Sequence, residues 1–227
     1  MEDRQKVVKN FCADSELAHF WLFFTPIPAD PLSALCVTQA HAQQQPVSTG
    51  LGECVDFVIF ASSTLTGQVN GTTFPFVYGP ATYLDKPGST VYIQNYSCAS
   101  NDIPGLYSRV SMVSHEMGHL YLDQGWVLGT REDYIAKACT NEGRAVLNNS
   151  TARNEILDTS QGGADISLIA ANAPALLSTI AAGGADLAQR VGDAFCEANV
   201  TSTTGENYKV YYGNEYDKLN PPSQEEQ

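Results

Sequence analysis

Positive charge is scarce in this chain. Lys and Arg number 12 against 25 Asp and Glu over 227 residues, a formal charge of −13, and neither occurs from Asn10 through Asp85. No basic surface can be assembled from that inventory to release phosphate counterions, so general nucleic-acid binding is excluded. Charge of either sign is thin, at 16% of residues against an average of about 25%. Hydrophobic residues nevertheless make up 43% of the chain, which excludes an unfolded polar segment. No clean membrane span is present. Residues 166–185 carry no charge, but Asn172, Pro174 and many small residues make them read as a buried Ala-rich helix. The length is ample for one domain with a real core.

No CxxC or other close pair of zinc-ligating cysteines occurs. The six cysteines, Cys12, Cys36, Cys54, Cys98, Cys139 and Cys196, are widely spaced. Their even count and the Ser/Thr/Asn/Gly-rich composition point to disulfides that brace a globular domain outside the cytoplasm, with connectivity left open. The first 50 residues read as a separate N-terminal segment. An apolar helix is expected over Ser15–Phe24, followed by a Pro-rich turn. Ala40-His41-Ala42 has the form of a signal-peptidase site. Acidic Glu2, Asp3, Asp14 and Glu16, together with Pro26, Pro28 and Pro31, argue against a standard signal peptide.

Residues 51–220 read as one domain and 221–227 as a loose polar tail. Val55–Ala61, Phe74–Tyr78 and Thr90–Gln94 are rich in β-branched and aromatic residues and are expected as strands. From Tyr107 the apolar period becomes helical, to an end near Asp123–Gly125. Thr130 with Asp133 three residues on forms a capping box, opening a long helix from Arg131 to about Asp158. Ala-rich helices are expected near 165–181, kinked at Pro174, and near 185–198. The fold class is therefore α+β: a small mixed sheet, two site-bearing helices and an Ala-rich helical C-terminal part.

The informative string is Val113-Ser114-His115-Glu116-Met117-Gly118-His119-Leu120, an H-E-x-x-H sequence. Four helical residues turn through about 400°, so His115 and His119 lie on one face and can reach one ion. Glu116 is placed to take a proton from water activated at that ion. Gly118 permits close approach of another backbone. The two motif histidines are half of the four in the chain.

A catalytic zinc needs a third protein ligand and one open position. No histidine follows His119, so that ligand is a carboxylate. The candidates are Asp123, Glu132, Asp133, Glu142 and Glu155. Asp123 stands too close along the same helix to converge and can instead support a histidine. Glu142 is favoured: it lies mid-helix, with small neighbours Asn141, Gly143 and Ala145, after room for an antiparallel return. Glu155 and Asp133 are its rivals. Thirteen residues place Glu155 about 140° from Glu142 around the helix, so the two cannot share an ion.

Asn141-Glu142-Gly143-Arg144-Ala145-Val146-Leu147-Asn148-Asn149, Arg153-Asn154-Glu155-Ile156-Leu157 and Gly162-Gly163-Ala164-Asp165-Ile166 resemble the zincin-type metallopeptidase-like toxin domains of bacterial polymorphic toxins. Such domains end two-partner contact-dependent systems and some spike proteins of type VI secretion. Their pattern is an H-E-x-G-H helix, an E-G-x-A-x-L-N-N helix, then E-I-L and G-G-x-D-I. Thr201-Ser202-x-Thr204-Gly205-x-x-Tyr208 and Tyr211-Tyr212-Gly213 resemble their C-terminal end. The resemblance covers roughly Val91 to Leu219. It implies a zincin-like core, zinc held by His115, His119 and Glu142, Glu116 as general base, and Glu155 as a structural residue. It also implies secretion or delivery to a target cell, action in the periplasm, and an immunity protein or secretion-spike adaptor as partner.

The expected activity is zinc-dependent hydrolysis of peptide bonds. Tyr208, Tyr211, Tyr212 and Tyr216 are candidate donors to the developing oxyanion. Asn148 and Asn149 are candidates for orienting the ligands. Two other classes remain open to the same residues: a zinc hydrolase of peptidoglycan cross-links, and a catalytically silent binding module.

Overall fold

The computed structural model describes residues 46–125 and 129–221. The expected helix over Ser15–Phe24, Ala40-His41-Ala42, Cys12, Cys36 and the tail from residue 222 onward lie outside the described residues. The architecture is mixed α+β, with seven helices and one three-stranded sheet among the described residues.

The first described helices are α1 (Glu53–Phe60) and α2 (Ser63–Gly71). Val55–Ala61 was expected as a strand and is helical instead. Val55, Val58 and Ile59 are its buried positions, at helical spacing. Glu53 and Asp56 occupy its first turn, where acidic groups are favourable. Core packing overrides the β preference of the Val-Ile run. Ser62 caps α2 by accepting from Leu65 N at 3.0 Å.

The sheet follows: β1 (Phe76–Gly79), β2 (Tyr83–Asp85) and β3 (Thr90–Gln94), in the order β1-β3-β2. β1 runs parallel to β3 in the register Phe76↔Val91, and β2 runs antiparallel to it in the register Tyr83↔Tyr92. β3 agrees with expectation, β1 begins two residues later, and the short edge strand β2 was not anticipated. Val91 and Ile93 of β3 are fully buried beneath α3 (Ile103–Leu122). That helix starts four residues earlier than its apolar period predicts. Asp102 accepts from Gly105 N at 2.9 Å and Pro104 sits in the first turn, and both favour a helix start.

α4 (Arg131–Thr159) is the spine of the molecule. Its capping box is as expected: Asp133 N donates to Thr130 Oγ1 and Thr130 N to Asp133 Oδ2. One core lies between α1, α2, β3, α3 and the end of α4, around Val58, Ile59, Val110, Met117 and Ile156. A second gathers Val146 of α4 with Leu168, Leu176, Val191 and Phe195. These belong to α5 (Ala173–Ala182), α6 (Leu187–Ala198) and the segment before them. The helix expected over 165–181 is thus shorter, and residues 164–172 are non-helical. Pro174 lies in the first turn of α5 and not at a kink. Only Leu176 of α5 is buried, so the expectation of a buried Ala-rich helix is corrected. α7 (Tyr208–Leu219) closes the chain and packs on α4. No described helix is long and apolar enough to cross a membrane.

Two disulfides are formed among the described residues. Cys54–Cys98 ties α1 to the loop after β3, and Cys139–Cys196 ties α4 to α6.

Candidate metal centre

α3 and α4 meet at backbone distance. A Cβ on Gly118 would stand 2.5 Å from Ala145 Cα, so only glycine allows this crossing. On the other side of α4, Gly143 and Gly192 let α6 lie equally close, against the Ala188 and Cys139 carbonyls. Three helices are thereby pressed together around one point.

At that point His115, His119 and Glu142 converge. Glu142 Oε2 lies 3.2 Å from His115 Nε2 and 3.3 Å from His119 Nε2. One ligand atom from each of the three residues falls within 4.8 Å of the others, so the group can hold a metal ion. His115 is 4% exposed and Glu142 3%, so these polar groups are withdrawn from water and need partners. Burial alone would raise the Glu142 carboxyl, but the two imidazoles outweigh it and hold it well below the usual range. Burial likewise works against charging His119, yet Glu142 and Asp123 push its pKa well upward.

Each ligand is supported. His119 Nδ1 lies 3.0 Å from Asp123 Oδ1, and Asp123 Oδ2 accepts from Lys86 Nζ at 2.8 Å. The ring of His115 stacks on Phe195 at 5.6 Å, while its Nδ1 has no hydrogen-bond partner among the described residues. Glu142 Oε1 accepts from the Tyr212 hydroxyl at 2.5 Å. Asn148 Nδ2 donates to the Ser114 carbonyl at 2.6 Å and Asn149 Nδ2 to the Ser114 hydroxyl at 2.8 Å. Asn141 accepts from Gln124 N and donates to Gln124 O, pinning the chain just past Asp123.

Glu116 is 6% exposed and lies on the wall of a cleft of about 200 Å³. Burial raises its carboxyl above the ordinary glutamate value, and the nearby imidazoles offset only part of this. Ile169, Ala170, Ala171, Phe195 and Tyr208 line the same cleft. The Tyr208 ring packs on Phe195 at 5.0 Å, and its hydroxyl has no hydrogen-bond partner among the described residues.

The rival carboxylates are elsewhere. Asp133 is spent in the capping box and Glu132 is exposed. Glu155 accepts from Ser62 Oγ and from Thr64 N and Oγ1, holding the start of α2. Of the tyrosines, Tyr216 donates to the Gly129 carbonyl, away from the site. Phe195 and Lys86 were not anticipated, and Asn141 was read only as a small neighbour of Glu142, not as a partner of Gln124. Asn141 stands beside Glu142 in sequence and carried the only signal that could have been read.

No protein-family model, curated protein or solved structure matches the chain.

Proposed function

We propose that the chain is a zinc-dependent metallopeptidase with a zincin-like core, acting as a secreted or delivered toxin. The observation that carries the reading is the buried convergence of His115, His119 and Glu142 beside a cleft walled by Glu116. Two imidazole nitrogens and one carboxylate oxygen make a His₂Glu donor set, typical of catalytic zinc. Donors about 2.0–2.2 Å from a tetrahedral ion stand roughly 3.3–3.6 Å apart. The separations of 3.2 and 3.3 Å between Glu142 and the two histidines fit that spacing.

Zinc held there would polarise a peptide carbonyl and lower the pKa of water from about 16 toward 7. Glu116 takes the proton from the attacking water and returns it to the leaving amine. Tyr208, on the cleft wall, donates to the carbonyl oxygen as negative charge develops there. Ile169, Ala170 and Phe195 give the cleft apolar surface for an uncharged substrate side chain.

The toxin part of the reading rests on the resemblance of the strings around Glu142, Glu155 and Asp165. Two disulfides support an oxidising compartment such as the periplasm of a target cell. The −13 charge favours a basic immunity protein or spike adaptor.

The test is Glu116→Ala. The variant is expected to keep its zinc and lose about 10²–10⁴-fold in peptide hydrolysis. Exported wild type is expected to arrest growth of a bacterial host, and exported Glu116→Ala to leave it unharmed. Full hydrolysis by the variant would refute the mechanism, and purified wild type free of zinc would refute the metal centre.

A further inference from the structure

Glu142 has two carboxylate oxygens, and the fold gives them different partners. Oε2 faces both histidine Nε2 atoms at 3.2 and 3.3 Å. Oε1 accepts a hydrogen bond from the Tyr212 hydroxyl at 2.5 Å. A carboxylate free to turn can grip an ion with both oxygens, and doing so would take up the position that a catalytic zinc must keep open. A donor fixed on one oxygen prevents this.

Tyr212 is well fixed. It lies on α7, whose entry is set by Asn207, which accepts from Lys209 N at 3.0 Å and donates to the Cys196 carbonyl at 2.9 Å. The far half of the helix is docked by Arg131 Nε, which donates to Asp217 Oδ1 at 3.1 Å. Gly213, the next residue, lies directly against the Arg131 guanidinium. The Tyr212 ring is flanked by Tyr208 at 5.9 Å and Tyr211 at 5.4 Å. Its hydroxyl therefore meets Glu142 without a search through rotamers.

We propose that Tyr212 is a positioning residue that holds Glu142 to one-oxygen ligation, making the last helix part of the metal site. The inference rests on the metal reading of this site but is tested separately from it. Zinc affinity is measured by competition with a chromophoric chelator, and ligand geometry by the visible spectrum of the cobalt(II)-loaded protein. Tyr212→Phe removes one hydroxyl and is expected to bind zinc about 10–100-fold more weakly. Its cobalt bands are expected to lose intensity as the coordination number rises. Tyr216→Phe, which deletes a hydroxyl from the same helix away from the site, is expected to match wild type in both measurements. Thermal melts of the metal-free proteins check that each variant folds. Wild type that binds neither ion overturns the metal reading and the inference together. Wild-type affinity and spectrum in Tyr212→Phe overturn the inference alone. An equal loss in Tyr216→Phe overturns it too, because the effect would then be a general loosening of α7.

Discussion

Asp123 shows how one residue's role follows from its distance along a helix. Four residues past His119, it shares the histidine's face but cannot reach around the imidazole to the ion side. It holds Nδ1 at 3.0 Å instead, which leaves Nε2 facing Glu142. Lys86, from the β2–β3 turn, fixes the carboxylate in turn. Asp123→Ala is expected to weaken zinc binding about 10–100-fold, as read by chelator competition. Lys86→Ala should cost much less, since that lysine side chain is 42% exposed and the pair is screened. An affinity unchanged in Asp123→Ala would mean that the His119 ring is held by packing alone. At this scale the sequence was most legible. His115, Glu116 and His119 follow from spacing, and Glu142 from its mid-helix position and small neighbours, while the angle to Glu155 shows only that the two exclude each other. Phe195 was not legible, because the ring that stacks on His115 arrives 53 residues beyond Glu142, on a helix whose return path no local pattern encodes.

Elements were read well where a cap or a strict period marked them and poorly where tertiary contacts decided. The long helix α4 announced itself through Thr130 and Asp133. Helix α1 did not, because Val55, Val58 and Ile59 carry β preference and turn helical only by burial against α3 and α2. Helix α7 had no element assigned from sequence: four tyrosines in twelve residues carry no clear period, and its contacts with α4 and α6 decide it. Glu155 gives this scale a measurable consequence. Burial would raise its carboxyl, but hydrogen bonds from Ser62 and Thr64 prevail and hold it below the ordinary value of 4.5. A depressed folded pKa means stability that is present above the unfolded value and lost as pH falls through the folded one. Glu155→Gln is therefore expected to destabilise by about 1–2 kcal/mol at pH 7. In urea melts the gap from wild type should narrow as pH falls from about 5 to below 4. A gap that stays constant across that window would deny the charged cap. Gly118→Ala probes the α3–α4 crossing: the added methyl has Ala145 Cα at 2.5 Å and Asn148 Cβ at 3.0 Å, so the helices must part. A loss of about 1–3 kcal/mol is expected, with zinc affinity falling alongside, whereas a simple helix-propensity change would raise stability.

On the scale of the whole molecule, the two disulfides brace different things. Each closes a loop of several dozen residues, 44 for Cys54–Cys98 and 57 for Cys139–Cys196. By chain entropy each is worth on the order of 4 kcal/mol. Their consequences for the site are unequal. Cys54–Cys98 joins α1 to the loop after β3, in the core behind the motif helix. Cys139 lies one turn before Glu142, and Cys196 follows Phe195, the residue stacked on His115. The Gly143–Gly192 approach, which has no slack for side chains, sits between the same two helices. The second bridge therefore clamps α6 onto α4 beside the candidate metal centre, where α4 supplies Glu142 and α6 the Phe195 ring. Replacing Cys54 and Cys98 together by Ala should lower the melting temperature and leave zinc affinity near wild type. Replacing Cys139 and Cys196 together should lower both, because Glu142 and the His115 ring lose their common support. Chelator competition under conditions where each variant is still folded separates the two effects. Equal zinc affinity in the two double variants would show that α3 and α4 alone define the site, and that α6 serves stability only.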